Sequence, residues 1–111
     1  MIEKIVRDYL NDTIDAPVYT EESGKMPEEY VLIEKTGGSR QNHISSSVIT
    51  IQSYSVSRYM AADLSEKVKE AMEDIVTLDE ISKCSLNSDY NYTDVTRKKE
   101  RYQAVFDIVH Y

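Results

Sequence analysis

Apolar residues at Ile2, Ile5, Val6, Tyr9 and Leu10 follow an i, i+3, i+4, i+7, i+8 spacing, which gathers them on one face of a helix. The polar run Asn11-Asp12-Thr13 predicts the end of that helix, and Pro17 marks a break beyond it. Val18-Tyr19-Thr20 reads as a short strand. Glu21 to Glu29 is acidic, holds Gly24 and Pro27, and reads as an exposed loop, the segment with most freedom to move. Tyr30 to Thr36 is rich in β-branched and aromatic residues and reads as a strand. Gly37-Gly38-Ser39-Arg40-Gln41-Asn42 then reads as a turn, because paired glycines supply the positive φ that tight hairpins require. Ile44 to Tyr54 follows as a long strand. Ser45, Ser47, Ile49, Ile51 and Ser53 share one face, and Ile44, Ser46, Val48, Thr50, Gln52 and Tyr54 share the other. The strand's centre is apolar on both faces and its ends are polar, which predicts a buried middle and a hairpin with a protruding tip.

The strongest helical pattern runs from Ser57 to about Asp74. Met60, Ala61, Leu64, Val68, Ala71, Met72 and Ile75 form its apolar stripe, with charged residues opposite. Ser57 is placed to cap it, its side-chain oxygen accepting from a backbone N–H that the helix leaves unpaired. Thr77-Leu78-Asp79-Glu80 matches a capping box and predicts one further helical turn. Alternation at Cys84, Leu86, Ser88, Tyr90 and Tyr92 predicts a strand, and Thr93 to Lys99 a turn. Tyr102, Ala104, Phe106, Ile108 and His110 share a face of the last strand, which runs to the final residue. The order helix, short strand, hairpin, helix, hairpin is an α+β pattern. It predicts a small single domain over residues 1–111, a mainly antiparallel or mixed β-sheet with two helices packed against it.

Charge narrows the functions open to such a domain. The 111 residues carry 13 basic and 20 acidic side chains, a net −7 at neutral pH, which argues against a basic reader of nucleic acid. No apolar run reaches the ~20 residues of a membrane span, and the charged start Glu3, Lys4, Arg7 and Asp8 is unlike a signal peptide. The lone Cys84 allows no internal disulfide and fits a reducing cytoplasm. Nine of the aromatics are tyrosine and one is Phe106. Tyrosine suits strands by propensity and half-buried faces or interfaces by its polar tip, the first being the simpler account.

Catalytic constellations are weak. Cys84 with His43 or His110 would need a base within hydrogen-bond reach of the thiol, and the spacing argues for none. Asn11 to Glu22 has the length of a calcium loop but places Ala16 where glycine must turn and Pro17 beside it. The segment Gly37-Gly38-Ser39-Arg40 lacks the Gly-Lys-Ser/Thr ending of a phosphate loop. Arg97-Lys98-Lys99-Arg101 is the one basic cluster, and in an acidic chain it reads as a solvated hairpin end. The expectation is a protein that is not an enzyme, with no catalytic, cofactor-binding or metal-binding residues and no cofactor.

Glu29 to Ile44, the long strand after it, the helix Ala61 to Met72 and the closing strand Tyr102 to Ile108 together resemble the tail terminator, or tail completion, proteins of long-tailed bacteriophages and prophages. The resemblance lies in element order and length over most of the chain rather than in a catalytic motif. It implies a structural protein of virion assembly that caps the finished tail tube as a ring, usually of six copies, and joins tail to head. The implied partners are further copies of the chain, the tail tube protein and a head-connector protein. DNA would pass through the ring without specific binding, a passage that an acidic lining would keep from sticking. No membrane is involved, and the implied location is the virion, at the head–tail interface, after assembly in the host cytoplasm. The subunit or tail-tube interface is expected at Gly37, Gly38, Ser39, Arg40, Gln41, Asn42 and His43, with the acidic loop Glu21 to Glu29 as a second contact. Two other readings compete: another head–tail connector component (a head completion or neck protein), and a monomeric binding module. A small enzyme built on Cys84 is a third.

Overall fold

The computed structural model describes residues 2–91 and 100–111. Helix α1 spans Ile2–Thr13, strand β1 Val18–Tyr19, β2 Tyr30–Gln41, β3 Ile44–Ser55, helix α2 Arg58–Glu73, β4 Ile81–Asn91 and β5 Glu100–His110. The five strands form one mixed sheet in the order β1-β2-β3-β5-β4, with β1 parallel to β2 and every other pairing antiparallel. This is the α+β architecture expected. Strand β5 enters last in the chain yet fills the slot between β3 and β4, so α2 must cross it to connect its two neighbours.

Both helices cover the same side of the sheet. Helix α1 buries Ile2, Val6 and Leu10, and α2 buries Ala61, Leu64, Val68, Ala71 and Met72. They meet Val31 and Ile33 of β2, Ile49 and Ile51 of β3, and Ala104, Phe106 and Ile108 of β5 in one continuous core. The odd positions of β3 therefore face the helices, as their alternation predicts. The even positions Val48 and Gln52 are half-buried on the side that, among the described residues, carries no helix. Ser65 and Ser53 are buried where small side chains let α2 approach the strands closely.

Several boundaries differ from expectation, each for a local reason. Helix α1 continues through Asn11-Asp12-Thr13. Asn11 exchanges hydrogen bonds with the backbone of Val18, accepting from its N–H at 3.1 Å and donating to its carbonyl at 3.4 Å, so a helical residue folds β1 back against α1. The Thr13 hydroxyl donates to the Tyr9 carbonyl at 2.7 Å. Met60, expected in the α2 stripe, is 43% exposed, while Ala61 in the same first turn is fully buried. Ser57 caps α2 as expected, accepting from the Met60 N–H at 3.1 Å. The capping box at Thr77 does not open a helix. A single 3₁₀ turn, Ile75–Thr77, ends there, and the Thr77 hydroxyl turns back to the Asp74 carbonyl at 2.8 Å. In β4, bulges between Ile81 and Lys83 and between Leu86 and Ser88 interrupt the alternation. Cys84 and Leu86 lie opposite the core residues Ile108 and Phe106, whereas Ser88 and Tyr90 lie opposite Val105 and Gln103 on the other side. The turn expected over Thr93 to Lys99 lies outside the described residues.

Candidate functional site

The largest departure falls on the expected interface. Gly37 to Gln41 is strand, not turn: β2 runs on through Gln41, and Gln41 pairs with Ile44 to close a two-residue loop of Asn42 and His43. Neither Gly37 nor Gly38 has a positive φ, while Asn42 (φ 51°) and His43 (φ 66°) both do. Positive φ at both central positions suits a two-residue hairpin loop whose twist matches its strands, and asparagine tolerates it best after glycine. The glycines serve a different end. A bulge between Lys35 and Gly37 shifts the register, and Gly38 then lies so close to β3 that an added Cβ would sit 2.9 Å from the Ser46 carbonyl oxygen. The glycine pair narrows the ribbon and Asn42-His43 turns it.

The seven expected residues are nonetheless contiguous on one projecting ribbon. Pairing with β5 begins only at Ser45 opposite His110, so Gln41, Asn42, His43 and Ile44 extend beyond the neighbouring strand. On its outer side β2 is paired to β1 at Val31 and Leu32 alone, which leaves the edge from Ile33 to Gln41 without a partner among the described residues. Lys35 and Arg40 stand exposed along that edge, and the bulge breaks its regularity, two devices that discourage indiscriminate strand addition. All of Ser39 to His43 is exposed, Gly37 is half-buried against Val48, and Ile44 is an apolar residue 44% exposed at the tip. An open hollow of about 420 Å³ lies at the ribbon's root, lined by Gly38, Ser39, Ser46, Val48, Asp107 and Val109 among others.

At the opposite end of the hairpin, the acidic loop is exposed at Glu21 and Glu28 and half-buried at Glu29. The Tyr30 hydroxyl donates to Glu22 at 3.1 Å, which ties the loop to the start of β2. Tyr30 and Tyr54 stack with ring centroids 4.5 Å apart, and Tyr19 meets Tyr30 edge-on at 6.2 Å.

A polar network on the helix-free side of the sheet escaped the sequence reading. The Arg101 guanidinium donates to the Tyr54 hydroxyl at 2.8 Å, which donates to Gln52 at 3.1 Å. Gln52 donates to Gln103 at 3.1 Å, and Gln103 donates to the Tyr90 hydroxyl. The chain of donors and acceptors crosses β3, β5 and β4, so its members adjoin only once strand order and register are known. The tyrosine count was the one signal of it.

Among the described residues, no hydrogen bond joins Cys84 to His110. His110 bonds the Ser47 hydroxyl at 2.8 Å, and burial, followed by the nearby Asp107 charge, pushes the Cys84 thiol up to about 11. A thiol so raised holds little thiolate at neutral pH. His43 stands on the hairpin tip. Among the described residues, no group of three His, Cys, Asp or Glu side chains gathers to hold a metal, and no helix is long and apolar enough to cross a membrane.

Compared with models of known protein families and with curated proteins, the chain matches none at a significant level.

Proposed function

We propose that this protein is a non-enzymatic assembly protein of the tail-terminator kind, which closes into a ring, caps a phage tail tube and offers the surface to which the head joins. The observation that carries the reading is the projecting β2–β3 ribbon, whose two-residue loop and paired strands present an exposed, charged and partly apolar tip. Such a tip reaches a neighbour without paying the ordering entropy that a loose loop would incur on contact. The net charge of −7 adds support, since a ring lined by it would repel DNA and let it slide. In this reading the ring is a homo-hexamer, its other partners are the tail tube and head-connector proteins, and its place is the virion's head–tail interface.

The test is light scattering over a concentration series of the purified protein, with negative-stain images of the heaviest fraction. Closed rings that grow in population with concentration are the expected result. A particle that stays the mass of one chain at the highest concentration, and that also leaves purified tail tubes uncapped, overturns the reading.

A further inference from the structure

The two ends of the hairpin differ in charge and in what they expose. No acidic residue falls between Glu34 and Asp63, although the chain carries 20 of them, so Lys35 and Arg40 give the ribbon a local positive character. The far end holds the loop with Glu21, Glu28 and Glu29. Among the described residues none of Lys35, Arg40, Glu21, Glu28 and Glu29 makes an ion pair. Lys35 pairs with Ile49 midway along the hairpin, whereas Arg40 belongs to its tip: Tyr30 pairs with Tyr54 at the loop end and Gln41 with Ile44 at the tip. That spacing is about 35 Å of strand at ~3.3 Å per residue, along a molecule whose longest dimension is 44 Å. Several of the exposed apolar residues lie at these two ends, others being Val76, Leu86, Tyr90 and Tyr111. Ile44 stands at the tip, and Val56 (57% exposed), Tyr59 (81%) and Met60 stand where β3 leaves the sheet and α2 begins, beside the acidic loop.

We propose that the projecting ribbon of one copy docks on the loop end of the next, Arg40 at its tip and Lys35 behind it against Glu21 and Glu28, with Ile44 on the apolar residues Val56, Tyr59 and Met60. The occupant is a second copy because both halves of the match lie on this chain. The same match can close reciprocally in a two-fold pair, each tip on the other copy's loop, or repeat head to tail. Repeated head to tail it is heterologous, the type that generates rings when its rotation closes, and the assembled mass distinguishes the two. The inference rests on the assembly reading above and specifies the surfaces it uses.

Charge exchange tests it by sedimentation velocity. One variant carries Lys35→Glu and Arg40→Glu, a second carries Glu21→Lys and Glu28→Lys, and circular dichroism first confirms that both are folded. Each alone is expected to associate at least about tenfold more weakly than the wild type, by like-charge repulsion across the contact. An equimolar mixture restores assembly, because each variant's tip then meets a loop of opposite charge. Association of the wild type weakens from about 0.05 to 0.5 M salt as screening shortens. Folded variants that assemble like the wild type, or a mixture that stays dissociated, overturn this pairing and leave self-assembly standing. A wild type that never associates overturns the pairing, and one that also leaves purified tail tubes uncapped overturns the assembly reading with it.

Discussion

Gly38 lies against the Ser46 carbonyl so closely that a Cβ at position 38 would stand 2.9 Å from that oxygen and 3.2 Å from the Lys35 side chain. Gly37, its neighbour, would place a Cβ 3.6 Å from the Val48 side chain, an ordinary contact. Adjacent glycines thus meet different demands, one steric and one permissive. Gly38→Ala is expected to destabilise the protein by about 1–2 kcal/mol, the usual range for forcing atoms into an occupied space. Gly37→Ala is expected to stay within about 0.5 kcal/mol of the wild type. Midpoints of urea unfolding for the two variants check the contrast, and equal midpoints would contradict it.

The loop at the ribbon tip predicts a gain. His43 sits at φ 66°, where a Cβ crowds the following carbonyl and only glycine is at ease. His43→Gly converts the loop to Asn-Gly, the preferred pair for this geometry, and is expected to stabilise by about 0.5–1 kcal/mol. His43→Val, with a β-branched side chain, is expected to destabilise by a similar amount or more. Thermal unfolding of both variants at one pH is sufficient, and a lowered Tm for His43→Gly would refute the account.

A hydrogen bond ties the two helices across the fold. The Tyr9 hydroxyl donates to the Ala71 carbonyl at 2.6 Å, over 62 positions of sequence. Tyr9→Phe keeps the ring's packing and removes the donor, at an expected cost of about 1 kcal/mol. Hydrogen exchange would localise the loss: amides of α1 should exchange faster while those at the centre of β3 follow global stability.

Alkaline pH should weaken the fold through three groups that share one sign. Burial raises the Cys84 thiol from 9.0 to about 11 and, with the Asp74 charge, also raises the Tyr9 phenol above 10.0. Hydrogen bonds to Asp89 and Glu66 raise the Lys69 ammonium above 10.5. In each case the unfolded chain loses its proton first, so the stabilisation is complete below the unfolded value and is lost as pH rises through the folded one. Unfolding free energy should therefore fall from about pH 9 upward, the first part of the decline belonging to Cys84. Cys84→Ala should flatten the curve between 9 and about 11. The same shift predicts that native Cys84 reacts with a thiol reagent about a hundredfold more slowly than a free cysteine near pH 8, two units of thiolate fraction. A rate equal to that of the urea-unfolded protein would contradict the burial argument.

What could be read along the chain was local. Helix α2 was legible because Ser57 caps it and Ala61, Leu64, Val68, Ala71 and Met72 repeat at helical spacing, information held within neighbouring turns. The β5 face of Ala104, Phe106 and Ile108 was legible in the same way, because alternation is a property of one strand. That a hairpin projects here was also legible, although its turn was expected at Gly37-Gly38, and so was the exposed acidic loop.

The tertiary structure decided everything that depends on which strand lies beside which. Nothing in β5 itself states that it inserts between β3 and β4, since hydrogen bonding between strands is blind to distance in sequence. The bulges in β4 turn Ser88 and Tyr90 to the face opposite Cys84, a change that a pattern of single residues does not carry. The place of the turn moved from Gly37-Gly38 to Asn42-His43 because glycine permits many conformations and enforces none, so the register with β3 chose among them. The network from Arg101 to Tyr90 arose in the same way: its residues are far apart in the chain and become neighbours only when three strands take their places in the sheet.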